Sequence, residues 1–225
     1  MTLQFDPEVA VSQLARADRR LAKVIRLAGP FTHRPEKMQS PFEALLRAIV
    51  YQQLSGKAAA TIYGRLLACL PKRRTDWPKA ILAAQDDTLR AAGMSWAKVA
   101  AVKDLSAKTL DGTVPTLARL KKMNDADVVD HLTQVRGVGP WTVEMLLIFK
   151  LGRPDVLPVS DLGVRAGYRL AYGNEAMPTP KELIAAGERW RPFRSVASWY
   201  LWRAVDLHRA GAIKAPAIAT HEGRR

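Results

Sequence analysis

Hydrophobic positions recur along this chain mainly at the three-and-four spacing of helices. In residues 41–54, PFEALLRAIVYQQL, the residues Phe42, Leu45, Leu46, Ile49 and Val50 fall on one helix face. Pro41 sits where a first helical turn tolerates a missing N–H. Residues 56–70, GKAAATIYGRLLACL, repeat the pattern with Ile62, Leu66 and Leu67 before Pro71 ends it. Residues 87–110 predict two further short helices broken near Gly93, and residues 125–135, DADVVDHLTQV, predict one capped by Asn124 or Asp125. Residues 179–211 read as two helices split at Pro192. There is no sustained period-two run, no Asn-Gly or Asp-Gly hairpin and no tandem repeat. The expectation is an all-α protein of about ten helices with short connections. The end of the chain, 216–225, is small, polar and charged, and is expected to be a flexible tail.

Charge narrows the function. Lys and Arg number 35 against 21 Asp and Glu, a formal net charge of +14, and no acidic segment offsets it. A polyanionic partner follows, with nucleic acid first. Cys69 is the only cysteine, which excludes an internal disulfide, a four-cysteine iron–sulfur cluster and a cysteine-based zinc site. It is expected to be a core or half-buried thiol. The first twenty residues lack an apolar signal core, and no apolar run approaches the length of a membrane span. The expected setting is cytoplasmic, at the nucleoid, with no membrane partner.

The stretch VRGVGPWTVEM, 135–145, concentrates the chemistry. Gly137 and Gly139 permit a sharp turn between two helices, and Pro140 suits the first turn of the second. Backbone N–H groups at such a positive helix end, with no side chain in the way, suit a phosphate. A glycine pair alone also marks a plain interhelical turn. Here it is followed by a helix apolar on every side (Val143, Met145, Leu146, Leu147, Ile148, Phe149) and then by GRPDVLPVSD, ending at Asp161.

That order resembles the helix-hairpin-helix (HhH-GPD) superfamily of DNA glycosylases, in particular the bacterial DNA-3-methyladenine glycosylase II branch. RAIVYQQLSGKAA resembles the family's helix and DNA-probing turn, GMSWAKVAAVKDLS its next helix pair, and ERWRPFRSVASWYLWR its closing helices, so the likeness covers most of residues 40–205. It implies a two-lobed all-helical fold over residues 1–215, with N- and C-terminal helices in one lobe, about 60–150 in the other, and DNA in the groove between. Longer members carry an N-terminal β-rich domain, which this chain is expected to lack.

The resemblance also implies roles. Asp161 matches the carboxylate that stabilises positive charge building on the deoxyribose or orients the attacking water; as a residue it equally suits the cap of helix LGVRAGYRL. Asp155 reads as structural. Bifunctional members place a lysine where this chain has Trp141, and an indole forms no Schiff base, so a monofunctional hydrolase leaving an abasic site is implied. Phe193 matches an aromatic stacking on the extrahelical base, with Trp190 as its neighbour. Met145 stands where the branch often has an aromatic, implying a wider or softer pocket. Arg136, Gly137, Val138 and Gly139 form the backbone-gripping hairpin, and Gln53 and Leu54 are the candidate wedge. Lys57, Arg136 and Arg165 are candidate phosphate contacts. No side chain signals a metal; relatives imply only Na+ or K+ on the carbonyls of Thr133, Val135 and Val138. The expected substrate is damaged DNA carrying 3-methyladenine or 7-methylguanine and, if the pocket is wider, 1-methyladenine or 3-methylcytosine, taken by a monomer. A non-catalytic DNA-binding hairpin protein is the alternative from another class. Same-fold enzymes for mismatched adenine or oxidised purine are the others; the missing cluster cysteines and the missing lysine, respectively, count against them.

Overall fold

In the computed structural model, which describes residues 3–214, helix boundaries fall where the sequence supplies caps. Among the described residues there are thirteen α-helices and no strand. They are α1 (Pro7–Ala17), α2 (Arg19–Ala28), α3 (Pro41–Tyr51), α4 (Gly56–Ala68), α5 (Trp77–Ala83), α6 (Asp86–Ala91), α7 (Trp96–Leu110), α8 (Leu117–Lys122), α9 (Asp125–Leu132), α10 (Pro140–Leu146), α11 (Leu162–Tyr172), α12 (Pro180–Gly187) and α13 (Arg194–Arg209). A π-helical turn, Leu147–Leu151, follows α10. The expected flexible tail at 216–225 lies outside the described residues.

Contacts divide the chain into two units: Met1–Pro35 with Leu147–Arg225, and Glu36–Leu146. The second unit begins well before residue 60 because α3 packs on both α4 and α7. There Phe42, Leu45, Leu46, Ile49 and Val50 are all buried, as their spacing predicts. Ser40 caps α3 and Ser55 caps α4, each hydroxyl accepting an N–H three residues on. Asn124 rather than Asp125 caps α9. Cys69, the C-cap of α4, is exposed, correcting the expected core or half-buried thiol: it stands at the helix end, past Leu66, the last buried residue of α4.

The first unit is built around α13, which packs on α11, α2 and α1. Asp18 organises it by ending α1 and capping α2, with its Oδ1 accepting the N–H groups of Arg20 and Leu21 at 3.0 Å each. Its other oxygen accepts the Tyr172 hydroxyl and the Trp190 indole N–H. Burial opposes the charged form, but these bonds, led by Tyr172, hold the Asp18 carboxyl below the usual range. Burial and the bond to Asp18 push the Tyr172 phenol up. Along α11, Gly163 and Gly167 let α13 approach; a methyl at Gly167 would run into the Leu201 carbonyl.

Candidate functional site

Asp161 is the N-cap of α11: its Oδ1 accepts the N–H of Val164 at 2.7 Å. The same oxygen accepts the indole N–H of Trp202, from α13, at 2.9 Å. Gly163 makes this possible. A methyl there would lie 2.8 Å from Trp202 Cδ1, 3.0 Å from its Nε1 and 3.1 Å from Asp161 Oδ1. Phe149, in the π-helical turn, sits beside the indole with ring centroids 5.5 Å apart. His33 completes the aromatic row, edge-on to Phe149 at 5.1 Å, with a ring nitrogen 3.3 Å from the Ile148 carbonyl. The carboxylate is therefore half-buried and oriented by two donors from different helices.

Asp155 does other work. Arg194 Nε and Nη2 contact its two oxygens at 2.7 and 2.9 Å, and Arg191 contacts it at 2.6 Å. These bonds, with the Ser195 N–H on the Pro154 carbonyl at 2.9 Å, tie the loop before Asp161 to the start of α13. The structural reading of Asp155 follows from this geometry.

The two aromatic candidates on ERWRPF differ. Phe193 is half-buried at the N-cap of α13, 5.8 Å from the ring of Phe5. Trp190 is 0% exposed with its N–H on Asp18 at 3.0 Å, so it is a core residue rather than a pocket wall. Trp202 and Phe149 are the aromatics that instead accompany Asp161; the run SWYLW, with Trp199 and Trp202 three apart, and the glycine two residues after Asp161 were the sequence signals for them. Arg165 donates its Nε to the Pro178 carbonyl at 2.8 Å, an internal bond that gives it a local structural role.

In the second unit, α7 acts as a spine. Lys98, Ala101, Asp104 and Lys108, at helical spacing, each meet the turn after α3 or the turn between α9 and α10. Lys98 Nζ donates to the carbonyls of Val50 and Gln52 at 2.6 and 2.9 Å, and burial pushes its ammonium pKa down. Ala101 is the neighbour a methyl on Gly137 would meet, at 3.5 Å. Asp104 accepts the Arg136 N–H at 2.7 Å, and Lys108 bonds both Asp104 and the Gln134 carbonyl. Burial works against ionisation of Asp104, but the Arg136 N–H and Lys108 hold its carboxyl low. Gly137 has φ +79°, the left-handed region that glycine enters most easily, so it turns the chain here. Gly139 has no neighbour within 4 Å of a built methyl, so its small size leaves surface space rather than relieving a clash. Val138 is buried, whereas Arg136 and Lys57 are exposed.

At the start of α10, Trp141 is 45% exposed, with Met145 half-buried one turn on. Leu54, at the turn after α3, is 39% exposed beside Gln53, which is also exposed. Among the described residues no cluster of His, Cys, Asp and Glu suits a metal, and no helix is long and apolar enough to cross a membrane.

These elements coincide with a known family. Residues 46–192 match the HhH-GPD superfamily base excision DNA repair protein family, a span that includes the hairpin and Asp161. The chain belongs to the HhH-GPD superfamily. It is 34% identical over 216 residues to DNA-3-methyladenine glycosylase 1 of Schizosaccharomyces pombe, covering 92% of this chain and 95% of that one. The solved 3-methyladenine DNA glycosylase of that yeast, in complex with abasic DNA, superposes with a TM-score of 0.72 over 86% of this chain and 95% of its own, at 34% identity. The DNA-3-methyladenine glycosidase of Bacillus halodurans gives 0.79 over 95% and 94%, also at 34% identity.

Proposed function

We propose that the protein is a monofunctional DNA glycosylase that releases alkylated purines, 3-methyladenine and 7-methylguanine, from damaged DNA and leaves an abasic site. One observation carries the reading: the Asp161 carboxylate, which lies inside the family-matched region, is held by the N–H of Val164 and the indole of Trp202. The names of the relatives, aligned over nearly the full chain, support the alkylpurine class.

Cleavage of the N-glycosidic bond develops positive charge at the sugar. A carboxylate held in one orientation stabilises that charge without reorganising, or orients the attacking water. Alkylation at N3 or N7 makes the purine itself cationic, so it departs without a proton from a general acid. The exposed face of Trp141 favours such a cation over a neutral base by roughly 0.5–2 kcal/mol. Trp141 in place of an amine supports hydrolysis without strand cleavage. Leu54 and Gln53 are assigned to fill the gap left by the extracted nucleotide, and the hairpin at 136–139 to hold the backbone. The hairpin carbonyls of Thr133, Val135 and Val138 are neutral oxygens, a donor set that would suit Na+ or K+.

The test is single-turnover release from duplexes that each carry one defined lesion. Cationic alkylpurines should leave faster than hypoxanthine or 8-oxoguanine. Faster release of 8-oxoguanine than of 3-methyladenine overturns both the charge argument and the substrate class.

A further inference from the structure

The turn after α3 is held in a conformation its own residues do not favour. Gln53 has φ +57°, a region that residues with side chains seldom adopt. Two side chains brace it. Lys98 covers the carbonyls of Val50 and Gln52, the ordinary service of a cation at a helix C-terminus. The second brace has no such local explanation: Gln52 Nε2 donates to the Gly137 carbonyl at 2.9 Å, joining residues 85 apart in sequence. Gly137 is exposed, so water would satisfy that carbonyl equally well. The bond therefore adds little to the hairpin itself. It joins the residue two before Leu54 to the segment assigned to grip phosphate.

A wedge needs support. Pushing a base out of the stack presses the inserted side chain back, and the turn keeps its depth only if it is fixed relative to the backbone being held. We propose that Gln52 is a positioning residue that, through its amide on the Gly137 carbonyl, couples the hairpin's hold on DNA to the Gln53–Leu54 turn and sets the depth at which Leu54 enters the stack. The inference rests on the assignment of Leu54 as wedge.

The experiment uses the full chain with Gln52→Met, Leu54→Ala and the double variant. Methionine keeps the length and shape of Gln52 and lacks the N–H donor. Excision is followed in single turnover on a duplex with one 7-methylguanine opposite cytosine, and again with the lesion in a mismatch, where extraction costs less. Binding to undamaged duplex and thermal stability are measured alongside. Gln52→Met should slow excision on the paired duplex about threefold to tenfold, the worth of one hydrogen bond. The defect should shrink in the mismatch, undamaged-DNA affinity should stay within about twofold of the parent, and the double variant should be no slower than Leu54→Ala. A merely structural role would instead move stability, or slow both substrates alike. The inference is overturned by a parental rate for Gln52→Met on the paired duplex, by an equal loss in the mismatch, by weakened binding to undamaged DNA, or by additivity with Leu54→Ala. A parental rate for Leu54→Ala removes the wedge assignment itself, which is a separate result from failure of Gln52→Met alone.

Discussion

Gly163→Ala is expected to slow base release by displacing Trp202 from Asp161, although it alters no group that touches DNA in the proposed mechanism. The added methyl would stand 2.8 Å from Trp202 Cδ1, whereas carbon atoms settle at about 3.5 Å or more, so the indole must retreat by about 0.7 Å. Carried along the bond, that retreat stretches the 2.9 Å contact from Nε1 to Asp161 to at most about 3.6 Å, beyond hydrogen-bonding range. A hydrogen bond to a charged group is worth about 1.5–3 kcal/mol, or about tenfold to a hundredfold in rate if it is lost where charge develops. Asp161 keeps the Val164 N–H at 2.7 Å, so the lower part of that range is expected. Overpacking also costs about 1–3 kcal/mol of stability, so the melting temperature should fall by several degrees. Trp202→Phe supplies the control, since it removes the donor without adding bulk. Single-turnover excision of 7-methylguanine should slow in both variants, and the double variant should be no slower than the more impaired single one, because both remove the same bond. If Trp202→Phe excises at the parental rate, the indole does not position Asp161 and the argument fails.

Asp161→Asn should abolish most base release while duplex affinity stays equal or rises, since a negative charge has been removed; turnover near the parental rate would move the catalytic role elsewhere. Asp18→Asn should cost about 1–3 kcal/mol near neutral pH, because Asp18 uses both carboxylate oxygens as acceptors and an amide has one, so either the α2 cap or the Tyr172 and Trp190 donors lose their acceptor. The Asp18 carboxyl is held low in the folded protein, so its stabilisation is present above its unfolded value of about 4 and is lost as pH falls through the folded one. Chemical denaturation should therefore show the two proteins converging in acid; a constant gap would refute the assignment. Gly137→Val forces a β-branched residue to φ +79° and should weaken binding to damaged and undamaged duplex alike, as titrations of both would show. With Trp141 at the amine position, borohydride should trap no protein–DNA adduct, and efficient trapping would refute the monofunctional reading.

What the sequence made legible was what short-range pattern encodes. Five apolar residues at helical spacing between Pro41 and Tyr51 announce α3 and its buried face together. Helices α5 and α8 have only seven and six residues, too short for an amphipathic period to register, and they account for part of the excess of thirteen helices over the ten or so expected; α6 is as short, but Gly93 marks its end. Trp190 and Trp202 show the other limit. Both lie in one aromatic-rich segment, and only partners 172 and 41 residues away decide that the first belongs to the core and the second to Asp161. Matching aromatics by position in a motif cannot separate them, because a tryptophan is fixed by where its N–H finds an acceptor.

The two readings of Asp161, helix cap and groove carboxylate, are compatible in this geometry. The cap bond and the indole bond both fall on Oδ1, so the plane of the carboxylate is set by two donors that meet one oxygen from α11 and α13. Asparagine is as good an N-cap as aspartate and keeps an Oδ1 for the same two donors. Helix capping therefore does not require the charge at this position, and the charge is what the proposed chemistry uses. Gly163 and Gly167 bring α13 close enough for Trp202 to reach that oxygen, so the packing of α11 on α13 is also what orients the carboxylate.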